Sequence, residues 1–247
     1  MLRKVRHLSA IAVALLLFGC DPTPDDGDSG HQKAMREFAL SYGAQAGLHW
    51  KSSLIVEFLD KHEEQLDQVF NFNALLMRHN ILPPVVAQYG KTYAIESDDT
   101  IRLSDKEIKM LRPARFVSSA PSWRDYIYVA YGQPESPPES LLPGNEIEEM
   151  IWRESLLAGW EVGVEQASAI FQDALSRLSR DYEGIVLYHQ LHIQNMISAP
   201  YTETTNLGVT GDNQGLRLND KIIKIVSPSV LNPKTNQWLP ILYDENS

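Results

Sequence analysis

The clearest helical pattern in the sequence is that of residues 145–178, NEIEEMIWRESLLAGWEVGVEQASAIFQDALSRL. It predicts a helix that begins at Asn145, because Asn145 and Glu148 have the spacing of a capping box. The acidic residues in its first turn suit the positive end of the helix dipole. Apolar side chains then recur every three or four residues, which predicts a core-facing stripe: Leu157, Trp160, Val164, Ala167, Phe171, Ala174 and Leu178. A coiled-coil dimer seam is the alternative, but Ala, Trp and Phe are poor zipper residues.

Upstream, residues 33 to about 79 predict another helix, which Pro83 and Pro84 limit. Seven of its residues recur at alternating steps of four and three and so share one helix face: Ile55, Leu59, His62, Leu66, Val69, Asn73 and Leu76. Small residues cluster in SYGAQAGLHW at residues 41–50. Each Gly in a helix is up to about 1 kcal/mol less favourable than Ala, so two glycines here indicate a packing reason. We therefore expect a second backbone to approach there. A further helix is predicted at about 182–197.

Two segments resemble each other, TIRLSDKEIKM at 100–110 and GLRLNDKIIKIV at 215–226. Each alternates apolar and polar residues around a central polar pair, which predicts a hairpin. An accidental match is one interpretation; the other is that both hairpins belong to one sheet, with a shared buried face. On that second view, Leu218→Asp should unfold the whole domain. The predicted fold class is α+β, a predominantly helical single domain over residues 33–247 with a small antiparallel sheet containing two similar hairpins.

The chain starts like a lipoprotein precursor. Residues 1–19 have basic residues, an apolar run from Ile11 to Phe18, and Gly19, as in a secretory signal peptide. Residues 17–20, LFGC, resemble the lipobox of bacterial lipoproteins, so Cys20 is expected to carry diacylglycerol and an N-acyl group. A thiol supplies the nucleophile for that bond. The alternative is an inert Cys inside an ordinary signal peptide, but Cys20 is the single cysteine of the chain.

Residues 20–32 are rich in Asp, Pro and Gly and predict a disordered tether after the lipidated cysteine. The net charge of the chain is −10, and residues 1–19 carry three basic residues and no acidic one, so the mature chain stands at −13. A nucleic-acid groove needs a Lys/Arg surface, which this composition disfavours. The same charge disfavours electrostatic binding to anionic lipid, so the lipid on Cys20 should provide the anchor.

Few residues suggest chemistry. His189 and His192 lie one helical turn apart, but two imidazoles make no zinc site by themselves, and core or surface histidines are favoured. Glu146, Glu148 and Glu149 are explained by the helix start. GVTGDNQG at 208–215 lacks the ligand spacing of a calcium loop. Five tryptophans, Trp50, Trp123, Trp152, Trp160 and Trp238, could line a sugar groove, although buried packing is the default for them.

Several ordered motifs resemble one family: SYGAQAGLHWKS, FNFNALLMRHNILPPVV, RFVSSAPSWRDYI, AGWEVGVEQA and SAPYTETTNLGVTGD. They resemble DotC, the lipoprotein of type IVB secretion systems, and the TraI protein of related plasmid conjugation systems. The similarity runs in order from about residue 33 to residue 226, and NQWLPIL resembles the end of the family's sequences.

This resemblance implies a structural, non-enzymatic role without catalytic, metal-binding or cofactor-binding residues. The expected partners are a DotD-like lipoprotein and a DotH-like, secretin-type subunit of the core complex at the outer membrane. Cys20 matches the family's lipid-attachment site. Asp21 is a departure, because Asp after the lipidated cysteine favours retention in the inner membrane of enterobacteria. The alternative function is a periplasmic lipoprotein enzyme that cleaves cell-wall glycans with a pair of carboxylates.

Overall fold

Two long helices, α1 (Gly30–Lys61) and α4 (Glu146–Ile193), run side by side through the molecule. The computed structural model describes residues 30–240. With 48 residues, α4 is about 72 Å long at 1.5 Å per residue. The helix expected at about 182–197 is therefore the last part of α4. The start of α1 at Gly30 also falls before residue 33, where the tether was expected to end.

The ends of α4 follow from local side-chain and backbone hydrogen bonds. Asn145 Oδ1 accepts the Glu148 N–H at 3.0 Å, while the Glu148 carboxylate accepts the N–H of Gly144 at 2.8 Å. The predicted cap by Asn145 is thus present, but the Glu148 carboxylate accepts from Gly144 rather than from the N–H of Asn145 as in a standard capping box. At the other end Asn195 has φ 57°, and the Met196 and Asn195 N–H groups donate to Leu191 O and His192 O. This is a Schellman motif, which closes the helix.

Glycines on both helices allow the two backbones to touch. Gly43 and Gly47 lie against the backbone of Leu156 and Trp160, and Gly159 and Gly163 lie against the backbone of α1. Residues further along α1 contact residues further along α4, so the two helices are parallel. The close approach expected around Gly43 and Gly47 is confirmed, and each helix carries the G-x-x-x-G spacing that permits such contacts.

The expected helix from 33 to about 79 is shorter than predicted. It ends at Lys61 and is followed by α2 (Glu63–Val69) and two short 3-10 turns at Phe72–Leu75 and Arg78–Asn80. Tertiary packing overrides the helical periodicity here, because Phe72 is buried and its ring meets Tyr182 of α4 edge-on at 5.2 Å. Val69, predicted on the buried face, is 59% exposed.

Between the long helices lies the crossover that a parallel pair requires. It contains six strands, a short helix α3 (Arg124–Ile127) and a loop that returns along α1, where His49 Nδ1 lies 2.7 Å from Tyr131 O. The strands, with two more after α4, are β1 (Ile81–Leu82), β2 (Val85–Tyr89), β3 (Thr92–Ser97), β4 (Thr100–Ser104), β5 (Glu107–Arg112), β6 (Arg115–Phe116), β7 (Tyr201–Gly211) and β8 (Leu216–Ser227). The α+β class is confirmed.

The strands form two long ribbons rather than one sheet. In ribbon 1, residues 85–112, β2 pairs with β5 near the body and β3 pairs with β4 further out. In ribbon 2, residues 201–227, β7 pairs with β8. Within residues 30–240 all strands pair two at a time, β1 with β6 being the fourth pair.

The expectation of two hairpins in one sheet is therefore wrong. Residues 100–110 form β4 and β5, two successive strands that each pair with an earlier strand, and residues 216–226 lie in the single strand β8. The polar pair read as a turn marks an irregularity instead: a gap at residues 105–106, and a positive φ of 56° at Asn219 beside a register shift. The two segments are nonetheless equivalent, since each is the returning strand of its ribbon.

The core sits around the C-terminal half of α4. One cluster joins Leu59 of α1 with Trp123, Ala174 and Leu178, and a second joins Val86 of ribbon 1 with Tyr188, Leu191 and Ile197. The predicted stripe of α4 is buried at Ala167, Ala174 and Leu178, whereas Leu157 is exposed. Towards the start of α4 the glycines make the closest backbone contacts with α1, and aromatic side chains such as Trp160 and Trp50 pack beside them.

Candidate functional site

The predicted lipid-attachment residue, Cys20, lies outside the described residues, as do the signal peptide and most of the tether. Among residues 30–240, none of the helices has the length and hydropathy needed to cross a membrane. The glycines and aspartate of residues 208–215 lie at the far end of ribbon 2, where Asp212 Oδ1 accepts the N–H groups of Gln214 and Gly215, both at 2.9 Å. Residues 212–215 thus form the turn between β7 and β8, and Gly208 and Gly211 belong to β7.

The two histidines of α4 are used for packing. His189 Nε2 lies 3.0 Å from Leu75 O, and His192 Nδ1 lies 3.0 Å from Ile197 O. The ring of His192 also stacks on Tyr188 with a centroid distance of 5.8 Å. Each imidazole therefore ties α4 to a neighbouring loop, and residues 30–240 contain no group of three potential metal ligands.

The tryptophans are distributed over the molecule rather than gathered in one groove. Trp123 is buried and donates Nε1–H to Asp67 Oδ1 at 2.7 Å, while Trp50 and Trp160 contact each other across the helix pair at 5.3 Å. Trp152 stacks on Phe38, and Trp238 donates to Asn232 O. This arrangement corresponds to packing roles for the residues described.

A charged cluster fixes the base of ribbon 1 to α4. Asp181 is 2% exposed and forms ion pairs with Arg112, at the end of β5, and with the neighbouring Arg180. The hydrogen bond to Asp181 raises the pKa of Arg112. Burial, followed by the hydrogen bond with Asp181, raises the pKa of Tyr126 to about 12. We call these four residues the Asp181 cluster.

Beside this cluster lies a groove of about 540 Å³. Arg112, Arg115, Ser118, Ser119, Asp125 and Tyr126 contribute its polar lining. The Asp125 carboxylate accepts the Ser122 N–H at 2.7 Å, and the charge of Arg112 is compensated by its ion pair with the buried Asp181. The groove thus offers hydroxyl and guanidinium groups without a marked excess of either charge.

The outer half of ribbon 1 presents an apolar face to solvent. Tyr93 lies opposite Leu103, and Ile95 opposite Ile101, so the four side chains share one face. Their exposed fractions run from 54% for Ile101 to 73% for Leu103. We call this set the ribbon-1 tip face. On the opposite face Arg102 forms an ion pair with Glu96.

The outer end of ribbon 2 repeats this arrangement. Leu216 and Leu218 share one face of β8, and the pairing of Gly211 with Leu216 places Val209 on the same side. All three are largely exposed, and Arg217 points to the other face, as Arg102 does in ribbon 1. We call these three residues the ribbon-2 tip face. Neither tip packs closely on another helix or strand of residues 30–240.

The sequence correctly predicted that apolar and polar residues alternate along strands at both tips. The apolar faces were expected to be buried in one sheet, whereas they are exposed on two separate ribbons. The signal that could have located them was the Asp-rich or Gly-rich turn just before each IRL or LRL triplet, since it marks the outer end of a ribbon. The Asp181 cluster had no such signal, because an Asp between an Arg and a Tyr in a helix is usual for a solvated surface.

The comparisons with known proteins bear on most of the chain. A comparison with curated proteins gave no match. The family model described as type IV secretory system, conjugal DNA–protein transfer, TraI, matches residues 29–240, which include both long helices, both ribbons and the Asp181 cluster. Since this match covers most of the 247 residues, the chain belongs to the TraI family of type IV secretory system proteins that take part in conjugal DNA–protein transfer.

Proposed function

We propose that this chain is a structural lipoprotein of the transfer apparatus, anchored at the outer membrane by lipid on Cys20. There it helps to bring a DotH-like, secretin-type subunit into the core complex, together with a DotD-like lipoprotein. The observation that carries the proposal is the family match over residues 29–240, to which the DotC-like motifs and the lipobox-like LFGC at 17–20 add the finer role.

The parallel helices are consistent with such an anchor. α1 begins ten residues after Cys20, and ten residues reach at most about 36 Å. Because α4 starts at the same end as α1, the base of ribbon 1, packed on Gly184, lies on the order of 57 Å further along α4. In this role the helix pair holds the ribbons away from the lipid bilayer.

The anchor is tested by Cys20→Ser in the full chain. The variant should keep the fold but leave the membrane fraction, because a protein without acyl chains loses about 0.8 kcal/mol per buried methylene. Membrane pellets washed with high salt are the measurement, with wild type as the reference. A variant that stays in the washed pellet would show that lipid on Cys20 is not the anchor.

The membrane and the assembly role need separate measurements. Density-gradient separation should place the wild type in the outer membrane, against the signal that Asp21 gives. Deletion of the chain should abolish conjugal transfer and leave the secretin-type subunit out of the outer-membrane fraction. Transfer at the wild-type rate without the chain would refute the assembly role, and wild type in the inner membrane would refute the location.

A further inference from the structure

The ribbon-1 tip face is an apolar surface without a partner among residues 30–240. Ribbon 1 is two-stranded at this point, so β3 and β4 also have unpaired outer edges. A two-stranded ribbon is marginal in water unless a further strand or a packed surface supports it, and unpaired edges are templates for association. The outer half of ribbon 1 therefore has both the side chains and the backbone groups of a binding element.

The size of the face argues against a second copy of the chain as its occupant. The face is about six residues long and two strand spacings wide, so its area is on the order of 200 Å². A standard interface buries about 800 Å² per partner. Two such faces placed against each other would fall well short. A groove that encloses the ribbon on several sides can bury more of it.

The negative charge at the end of ribbon 1 also argues against a second copy of the chain as the occupant. The turn at the end of ribbon 1 carries Asp98 and Asp99 next to the apolar face, whereas Glu96 of β3 is already paired with Arg102. Hydrogen bonds from Ser97 and Thr100 lower the pKa of Asp99, so this carboxylate is ionised at neutral pH. Two copies meeting tip to tip would bring these carboxylates together, and the chain as a whole has a net charge of −10. A partner with Lys or Arg beside an apolar surface would be attracted instead.

We propose that the outer half of ribbon 1 inserts into an apolar groove of a different protein subunit, with Lys or Arg at the groove's rim. The ribbon-1 tip face lies on the groove floor, and Asp98 and Asp99 meet the basic rim. This inference rests on the proposed assembly function and names the surface that performs it.

The test uses the full chain in cells that carry a working transfer system. A photoreactive benzoylphenylalanine replaces Tyr93, which it resembles in shape, and mass spectrometry identifies the adduct after irradiation. The expected adduct joins the ribbon to another subunit of the apparatus, in an apolar peptide with neighbouring Lys or Arg. An adduct with a second copy of this chain or with lipid would overturn the proposal, as would no adduct in cells that still transfer DNA.

Substitutions then separate the apolar and the charged contributions. Ile101→Ser with Leu103→Ser should lower the adduct yield at least about tenfold, as expected where anchor side chains are lost. Leu157→Ser, a matched change at an exposed leucine of α4, should leave the yield unchanged. Asp98→Asn with Asp99→Asn should weaken the salt dependence of the complex. Equal yields in all variants would overturn the proposal.

Two controls keep the outcomes distinct. The unfolding midpoint of the Ile101→Ser, Leu103→Ser variant should equal that of wild type, because both side chains are exposed in the free protein. If this variant transfers DNA normally while deletion of the chain abolishes transfer, the ribbon inference fails and the assembly function stands. If deletion itself has no effect, the assembly function fails.

Discussion

Asp181 shows how one side chain can join separate parts of the fold. Among residues 30–240 it is the one charged residue that is buried, and it links α4, the end of β5 and Tyr126 of α3. A buried carboxylate needs several partners to offset its lost hydration. Here two guanidinium groups and a phenol provide them, so the same cluster that satisfies Asp181 also holds the base of ribbon 1 in place.

Removal of this charge should weaken the domain. We expect Asp181→Asn to lower the free energy of unfolding by about 1.5–3 kcal/mol, the range for hydrogen bonds to charged groups. The loss stays below that of a fully buried pair because Arg112 is 46% exposed and can be hydrated. Urea unfolding at pH 7 measures it. Asp173→Asn, on the solvent side of α4, is the control, and equal effects of both changes would contradict the role of the cluster.

The phenol of Tyr126 gives the cluster a pH dependence. Its pKa in the folded protein is about 12, above the value of about 10 in an unfolded chain. Its contribution to stability is therefore complete below pH 10 and is lost as the pH rises from about 10 to 12. In urea unfolding at pH 9 to 11, wild type should lose stability more steeply than Tyr126→Phe. Tyr93→Phe, an exposed site, should follow wild type, and parallel curves for all three proteins would refute this assignment.

At the scale of elements, the glycines of α1 and α4 determine how closely the helices pack. A Cβ at Gly163 would overlap Ala44 O and lie 2.8 Å from Leu48 N, both fixed backbone atoms. The overlap in Gly163→Ala should therefore destabilise the domain by about 1–3 kcal/mol. The higher helix propensity of Ala should offset up to about 1 kcal/mol of this loss. Thermal unfolding checks this, with Gly132→Ala as control because nothing lies within 4 Å of that position. An unchanged or higher midpoint for Gly163→Ala would be inconsistent with backbone contact.

The ribbons, by contrast, should contribute little to the stability of the free protein. Leu218 is 69% exposed, so Leu218→Asp should change the free energy of unfolding by less than about 0.5 kcal/mol. This reverses the expectation drawn from the sequence. Leu178→Ala, in the core cluster, should lower it by about 2–5 kcal/mol. If Leu218→Asp unfolds the domain like Leu178→Ala, the ribbon-2 tip face is buried in the protein and the description of an exposed tip fails.

At the scale of the whole molecule, the cap and the close helix contact were predicted from local signals, whereas the end of α1 and the pairing of the strands were not. The cap at Asn145 and the close approach at Gly43 and Gly47 depend on neighbouring residues or on one residue type, and both were predicted. The partner of each strand depends on residues far away in the chain, so β4 and β5 were paired with each other instead of with β3 and β2.

The burial of an apolar face was the other limit. Alternation around Ile101 and Leu216 shows that one side of a strand is apolar, but it does not show whether the same chain covers that side. A polar residue has the converse ambiguity. Asp181 lies between the two helices predicted to Leu178 and from about 182, whereas it is buried inside one continuous helix with its charge compensated by Arg112.

The parallel course of α1 and α4 also determines when the protein can fold. Gly47 meets Trp160, so α1 must wait for more than one hundred further residues before its partner exists. At a synthesis rate of 5–20 residues per second, this delay is roughly 6–20 s, and closing so long a loop slows folding further. The middle of the buried face of α1 consists of the small residues Ala39, Gly43 and Gly47, whereas Met35 and Leu59 towards its ends are large and apolar. Because the middle of this face is made of small residues, α1 exposes less apolar surface during the delay than a helix lined throughout with leucine, and apolar surface is what makes partly folded chains aggregate.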